Sequence, residues 1–384
     1  MKKILQITNY MYPHIGGIEQ VSRDILDCTK DIYEERILCF NHEKGNCIDE
    51  VDGVTVTRVN CQVKISSQQI ALSFGKYLKN ELKIFNPDIV IFHYPNPFEA
   101  FYLTRYLKNK KFIFILYWHL DITKQKILGK LFSSQNKKLL KYADRIVATS
   151  PNYIDGSRWL STYKDKCRII PCCVNSKRLE YNENHLNIAE IIRKKYYSKK
   201  ICFAFGRHVE YKGIEFLIKA SKLLDDSFIV LIGGTGPLTD KLKKLASNMN
   251  NVVFLGRIDD DNLKGYLLAC DVFCFPSITK NEAFGIGLAE AMFYSKPCVT
   301  FTIPGSGVNY VSLNNVTGIE VENRNFEAYA EAIKKISSDQ SLMDFFGKNA
   351  KKRIDNLFLQ KKFDLSIKAL LDEFEKKNCK ELED

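Results

Sequence analysis

Two carboxylates with seven residues between them, Glu282 and Glu290, are the sharpest chemical feature of the sequence, set in Asn281-Glu282-Ala283-Phe284-Gly285-Ile286-Gly287-Leu288-Ala289-Glu290. An offset of eight positions on one helix turns about 80° past two full turns, so the pair cannot share a helix face. Glu282 is therefore placed before a helix that opens near Gly285, with Glu290 inside it. The unpaired amides of Phe284, Gly285 and Ile286 then face the space that Glu282 borders. Such amides suit an anion such as a diphosphate, and a carboxylate beside them can accept hydrogen bonds from sugar hydroxyls. An acid favoured by the helix dipole, followed by an exposed helix glutamate, has the same spacing.

A second segment, Phe205-Gly206-Arg207-His208-Val209-Glu210-Tyr211-Lys212-Gly213, leaves an apolar strand and precedes a helix. Arg207 and Lys212 at a strand end can neutralise a diphosphate and hold the charge that grows on it as a bond to it breaks. A third, Tyr12-Pro13-His14-Ile15-Gly16-Gly17-Ile18-Glu19, follows the first strand; Gly16 and Gly17 permit close backbone approach to a phosphate or a plain tight turn. A fourth, Tyr117-Trp118-His119-Leu120-Asp121, ends a strand in a histidine with a carboxylate two residues on. Glycine loops at Gly233-Gly234-Thr235-Gly236 and the segment Phe254-Leu255-Gly256-Arg257-Ile258 stand at further strand ends. The run Asp259-Asp260-Asp261 precedes a helical pattern and reads as capping rather than as a metal site.

The elements that must position these residues are legible as apolar strand-like runs alternating with amphipathic helical stretches, the grammar of parallel α/β architecture. Strands are expected near residues 3–8, 35–40, 54–59, 89–92, 112–117, 145–149 and 167–170, then near 201–205, 228–232, 252–255, 272–276, 298–301 and 318–321. A polar, charged stretch over 175–200 marks the junction. It divides the chain into a first domain over 1–175 and a second over 176–360, with a terminal helix over about 361–384 free to pack back on the first. Two doubly wound sheets follow, each with its binding loops at the carboxyl ends of its strands.

Composition narrows the function classes. The chain has 384 residues, 45% hydrophobic and 27% charged, with 10 Pro, which fits two folded domains. The amino terminus reaches Gln6 too soon for a signal-peptide core, and no apolar run approaches the roughly 18 residues of a spanning helix. Twelve scattered cysteines lack paired CxxC spacing and read as reduced core thiols of a cytoplasmic protein. The net charge of +12 calls for phosphate-bearing substrates, an anionic membrane or nucleic acid. No nucleic-acid-binding module is recognisable, and the glycine loops lack the spacing of a dinucleotide fingerprint. Between Lys108 and Arg145, nine lysines stand against Asp121 and Asp144, with Ile127, Leu128, Leu131 and Phe132 at helical spacing. Such a face either docks on anionic lipid, at about 1 kcal/mol per basic residue, or is a solvated helix surface.

Glu282 through Glu290 resemble the E-x7-E motif of retaining glycosyltransferase family 4, and Gly206 through Gly213 resemble that family's G-R-x-x-x-x-K-G stretch. The resemblance spans nearly the whole chain. It implies a GT-B fold, two Rossmann-like doubly wound domains facing a central cleft. It implies a hexosyltransferase that takes a nucleoside-diphosphate sugar, GDP- or UDP-linked, to a glycan or lipid-linked acceptor with anomeric configuration retained and no metal. Glu282 would contact donor-sugar hydroxyls, with Phe284, Gly285 and Ile286 on the sugar and phosphates and Glu290 on the ribose. Arg207 and Lys212 would hold the diphosphate, Gly16 and Gly17 would reach the donor phosphates, Arg257 would lie in the base-binding region, and His119 would touch the donor sugar. The Tyr211-Lys212-Gly213 form resembles mannosyl and rhamnosyl transferases of surface-polysaccharide synthesis, which favours GDP-mannose, and the lipid-linked acceptor many family members use favours a peripheral place for the basic segment at the inner face of the plasma membrane. A sugar-nucleotide epimerase of the same architecture is the competing enzyme.

Overall fold

The computed structural model describes residues 1–14, 16–65, 68–122 and 128–380. The chain divides into two compact units, one formed by residues 1–170 with 363–384, the other by residues 171–362. The junction thus falls at Ile170 and Pro171, five residues before the position the polar stretch suggested. The chain stays with the second unit from Pro171 on, where Val174 bridges to Leu359 and its amide donates to Phe358 O at 2.8 Å.

The first unit holds β1 (Lys3–Thr8), β2 (Glu34–Phe40), β3 (Cys47–Val51), β4 (Val54–Val59), β5 (Val63–Ile65), β6 (Gln68–Ile70), β7 (Ile89–Tyr94), β8 (Ile113–Trp118), β9 (Arg145–Ala148) and β10 (Cys167–Ile169). Eight of them form one sheet in the order β10-β9-β8-β7-β1-β2-β4-β3, parallel except for the antiparallel β3–β4 pair. The β5–β6 pair is a separate hairpin. Chain order reverses beside β1, whose neighbours are β2 and β7, so ligand-binding loops collect at the carboxyl ends of those strands. The central strands are apolar and buried on both faces, as a sheet covered by helices requires.

An unbroken alternation of strands and helices fails at β3. Val51-Asp52-Gly53-Val54 is a hairpin turn with Asp52 at φ 49° and Gly53 at φ 82°. An Asp-Gly pair flanked by β-branched residues is a strong short-range hairpin signal, and it identifies this strand from sequence.

The terminal helix Gln360–Lys380 belongs to the first unit from Phe363 onward. Phe363, Ile367, Leu370, Leu371 and Phe374 are buried along one stripe. Arg145 on β9 and Arg168 on the edge strand β10 clasp Glu373, with three bonds of 2.6–2.9 Å. These bonds hold the Glu373 carboxyl below its usual range, Arg168 contributing most.

The second unit holds β11 (Lys200–Phe205), β12 (Phe228–Gly233), β13 (Val252–Gly256), β14 (Val272–Phe275), β15 (Cys298–Phe301) and β16 (Gly318–Val321), all parallel. Their order is β13-β12-β11-β14-β15-β16. This is the doubly wound order, and its switch point lies between β11 and β14.

Candidate functional site

In the second unit the site residues converge on that switch point. The loop after β11 and the loop after β14 are laced together: Ile278 N donates to Tyr211 O at 2.9 Å, and a side chain at Gly213 would strike the Pro276 carbonyl. This lacing carries Lys212 to Glu282, and the two form an ion pair. Ser277 Oγ donates to the same carboxylate oxygen of Glu282 at 3.1 Å. Lys212 Nζ also stands 5.0 Å over the Phe275 ring. Burial pulls the Lys212 ammonium down, but the Glu282 carboxylate and the Tyr211 hydroxyl together more than offset it and the net shift is upward. The Lys212 ammonium therefore stays charged throughout the neutral range. Phe205, Gly206, Lys212, Phe275, Pro276 and Ser277 line a small cavity at this point.

Beyond Glu282 the chain turns at Gly285, φ 94°, and enters the helix Ile286–Phe293. A left-handed residue is needed there, and glycine is the one that adopts it without strain. The amides of Phe284, Gly285 and Ile286 donate to no backbone acceptor among the described residues. Ser306 Oγ donates to Glu282 O, and Gly307 N donates to Ala283 O at 3.0 Å, so the loop is braced from behind. Glu290 is buried rather than an exposed helix glutamate, and its partner is Arg178, on the helix Ser176–Leu179. The other arm of the Arg178 guanidinium reaches Asp260 at 3.1 Å.

The three consecutive aspartates each have their own task. Asp259 caps the helix Asp260–Ala269 through Asn262 N at 2.8 Å, Asp260 holds Arg178, and Asp261 accepts from His185 at 3.1 Å. Among the described residues no three His, Cys, Asp or Glu side chains converge as metal ligands would. Arg207, after β11 at the switch point, and Arg257, after the edge strand β13, are exposed and make no ion pair among the described residues. The glycines of the 233–236 loop are explained by packing, since Gly234 lies against Gly206 and Gly236 against His208.

In the first unit Gly16 caps the helix Gly17–Thr29, and a side chain on Gly16 would strike the Glu19 carboxylate. Ile15, between His14 and Gly16, lies outside the described residues. The preceding turn is fixed by Arg58, which sequence reasoning missed: its guanidinium donates to Met11 O at 3.1 Å and Tyr12 O at 2.6 Å from a buried position. Asp121 is engaged by Trp118 Nε1 and Ser157 Oγ, each at 2.9 Å, which makes it a brace for the strand end. His119 is buried at the carboxyl end of β8, and its Nε2 lies 3.0 Å from His93 Nδ1. Burial, and secondarily His93, hold the His119 imidazole well below its usual range, so it is neutral at physiological pH.

Of the basic segment, Lys124 and Lys126 lie outside the described residues. Lys137, Lys138 and Lys141 are exposed on the helix Leu128–Tyr142, whereas Lys110 is paired with Asp144. Ser133, Ser134 and Tyr142 join the three exposed lysines around a shallow concavity. Among the described residues no helix is long and apolar enough to cross a membrane.

Comparison with known proteins agrees with this geometry. Residues 188–353 match the family described as glycosyl transferases group 1, and residues 15–178 match glycosyltransferase family 4. The D-rhamnosyltransferase WbpZ of Pseudomonas aeruginosa is 30% identical over 352 residues, 91% of this chain and 90% of that protein. The O-antigen chain mannosyltransferase C of Escherichia coli is 26% identical over 362 residues, 93% of this chain and 94% of that one. Among solved structures, sucrose-phosphate synthase from Thermosynechococcus elongatus superposes with TM-score 0.81 at 20% identity, covering 97% of this chain and 99% of that one. Anabaena HepE in complex with UDP and glucose superposes with TM-score 0.77 at 16% identity, covering 97% and 100%. These likenesses give the GT-B fold, and the sequence relatives give the family. The chain belongs to glycosyltransferase family 4 and is a hexosyltransferase of the GT-B fold.

Proposed function

We propose that the protein transfers a mannose-type hexose from a nucleoside diphosphate, GDP-mannose first among the donors, to a glycan or lipid-linked acceptor, with retention of anomeric configuration and without a metal. The observation that carries this reading is the Lys212–Glu282 pair beside the amides of Phe284, Gly285 and Ile286, which donate to no backbone acceptor among the described residues. Each member of the pair has a partner before substrate arrives. Donor binding gives Glu282 the sugar hydroxyls and leaves Lys212, with Arg207, facing the diphosphate.

The chemistry then demands charge stabilisation more than covalent work. As the bond from the anomeric carbon to the diphosphate oxygen lengthens, negative charge grows on the phosphate and Lys212, Arg207 and the helix amides hold it. The acceptor hydroxyl attacks from the face the phosphate leaves, and the departing phosphate oxygen takes its proton. Three cationic or amide donors at one place make a metal unnecessary to this scheme. Glu290 takes the ribose hydroxyls, Arg257 lies toward the base, and Gly16, Gly17 and His119 serve the donor from the first domain. The mannosyl and rhamnosyl names of the sequence relatives support the choice of hexose. The exposed Lys137, Lys138 and Lys141 support peripheral binding to an anionic cytoplasmic membrane face, where a lipid-linked acceptor would lie.

Screening GDP- and UDP-hexoses by thermal stabilisation and by turnover tests the reading, because a ligand that binds the native state raises its stability. GDP-mannose is expected to stabilise and to be consumed only with acceptor present, giving an α-linked product. Release of an epimerised sugar nucleotide without acceptor would replace transfer by epimerisation. Loss of turnover on chelation, restored by a divalent ion, would overturn the metal-free scheme.

A further inference from the structure

Four polar side chains in the first unit form a staircase across four neighbouring strands. Register places Ile4 opposite Glu35, Gln6 opposite Ile91, and His93 opposite Tyr117. Glu35 on β2, Gln6 on β1, His93 on β7 and His119 just past β8 therefore share one sheet face, each two residues nearer the carboxyl end than the last. All four are buried, and Gln6 and His93 interrupt otherwise apolar strands. Gln6 Nε2 donates to Glu35 Oε2 at 3.2 Å, His93 Nε2 meets Gln6 Oε1 at 3.0 Å, and His93 Nδ1 meets His119 Nε2 at 3.0 Å. Ser22 Oγ donates to Gln6 Oε1 at 2.9 Å from the covering helix.

The donor and acceptor inventory gives this chain a direction. The single proton of the Thr29 hydroxyl faces two acceptors, Ile25 O at 2.6 Å and Glu35 Oε1. If Glu35 is ionised, both its oxygens accept, and Gln6 must present its NH2. If Glu35 is protonated on Oε1, it donates to Thr29, which donates to Ile25, and Oε2 again accepts from Gln6. A proton on Oε2 would turn Gln6 over, so that its NH2 faced Ser22 Oγ and the Ser22 hydrogen lost Gln6 Oε1, the acceptor it has among the described residues; both arrangements that keep the Ser22 bond therefore turn Gln6 the same way. Gln6 Oε1 then requires a hydrogen on His93 Nε2, which makes His93 Nδ1 an acceptor and requires a hydrogen on His119 Nε2. His119 Nδ1, with no hydrogen-bond partner among the described residues, is left as a lone-pair acceptor.

We infer that Glu35, Gln6 and His93 are positioning residues that lock His119 in the Nε2–H tautomer, so that its Nδ1 accepts a hydrogen bond from a hydroxyl of the sugar substrate. This inference rests on the reading of His119 as a substrate contact. It specifies what His119 recognises: a neutral hydroxyl donor, never a phosphate oxygen, since an anion facing that lone pair would be repelled.

Nitrogen-15 NMR of the histidine-labelled full-length protein reads the tautomer directly. The His119 resonances, assigned through His119→Asn, are expected to show Nε2 protonated and Nδ1 bare in the wild type. Proton on Nδ1 would overturn the inference without any variant having to fold. His93→Leu and Gln6→Leu, which cut the chain one and two steps away, are expected to populate both tautomers and to lower kcat/KM about tenfold, the loss of one aligned hydrogen bond. An unchanged tautomer and rate in both folded variants would also overturn it. Full turnover in His119→Asn would remove the substrate contact while leaving glycosyl transfer intact. Absence of transfer by the wild type with every hexose donor would instead strike the proposed function, and the NMR result would still decide the chain.

Discussion

Arg178 and Glu290 form an ion pair within the second unit, and Asp260 takes the other arm of the same guanidinium at 3.1 Å. A planar fork bridges two carboxylates in a way a point charge cannot. Glu290 is buried on the helix Ile286–Phe293, and Arg178 is its cationic partner among the described residues, supplying both charge balance and orientation. Arg178→Ala is expected to raise the KM for nucleotide sugar about tenfold with kcat within about twofold, because the proposed ribose contact of Glu290 would be equal in ground and transition states. Arg178→Lys should recover only part of the loss. Steady-state kinetics on both variants, with a thermal melt to confirm folding, checks this; a fall in kcat at unchanged KM would place Arg178 in the chemistry instead.

Lys212 and Glu282 are expected to behave as one unit. Removing a charge that stabilises a developing oxyanion costs roughly 10²–10³ in turnover. Lys212→Ala should reach that range, and Glu282→Gln should lose at least about tenfold. Residues that share a partner do not add. The double variant is therefore expected to fall little below Lys212→Ala alone, and a strictly multiplicative loss would separate the two roles.

Gly285 offers a test of the turn that joins Glu282 to its helix. Its φ of 94° is unfavourable for any side chain, and an added Cβ would stand 3.3 Å from the Phe275 ring. Gly285→Ala is expected to destabilise the fold by about 1–2 kcal/mol from the backbone conformation alone. Donor affinity should fall with it, because the amides of Phe284 and Ile286 move with the turn. Thermal melts with and without nucleoside diphosphate separate the two effects: the variant should melt earlier, and the ligand should stabilise it less than the wild type.

The two sheets and the placement of most candidate site residues of the second unit were readable from sequence, for a physical reason. Parallel strands buried on both faces are continuous apolar runs, and loops at their carboxyl ends must carry whatever polar chemistry the site needs. Glu282, Lys212 and the amides before Ile286 all sit at such ends. Arg178 was not readable, because it stands 112 positions from Glu290 on a four-residue helix in a stretch that looked like a polar linker. Gln6 interrupts an apolar strand visibly, yet its partners Glu35 and His93 are recognisable only once register sets the three on one face. Arg58 was hidden in the same way, its carbonyl acceptors at Met11 and Tyr12 lying 47 and 46 positions away.

Glu35 makes the polar staircase measurable by stability as well as by NMR. Burial raises its carboxyl from 4.5 to about 7, against the lowering effect of the bonds from Thr29 and Gln6. Between those two values the folded chain binds a proton that the unfolded chain has released, so Glu35 makes the fold less stable as pH rises through that window. Glu35→Gln keeps the shape, offers NH2 to Thr29 and a carbonyl to Gln6, and does not titrate. The stability of the variant relative to wild type should therefore increase between pH 4 and pH 8, by roughly 3 kcal/mol at most. His93 works in the opposite sense: burial lowers its imidazole to about 3, so it destabilises the fold as pH falls below its ordinary value. That contribution is common to both proteins and cancels in the difference. Urea denaturation of the pair at four or five pH values gives the result. A flat difference would mean that Glu35 is ionised in the fold, with Thr29 donating to it and Ile25 O left to another partner.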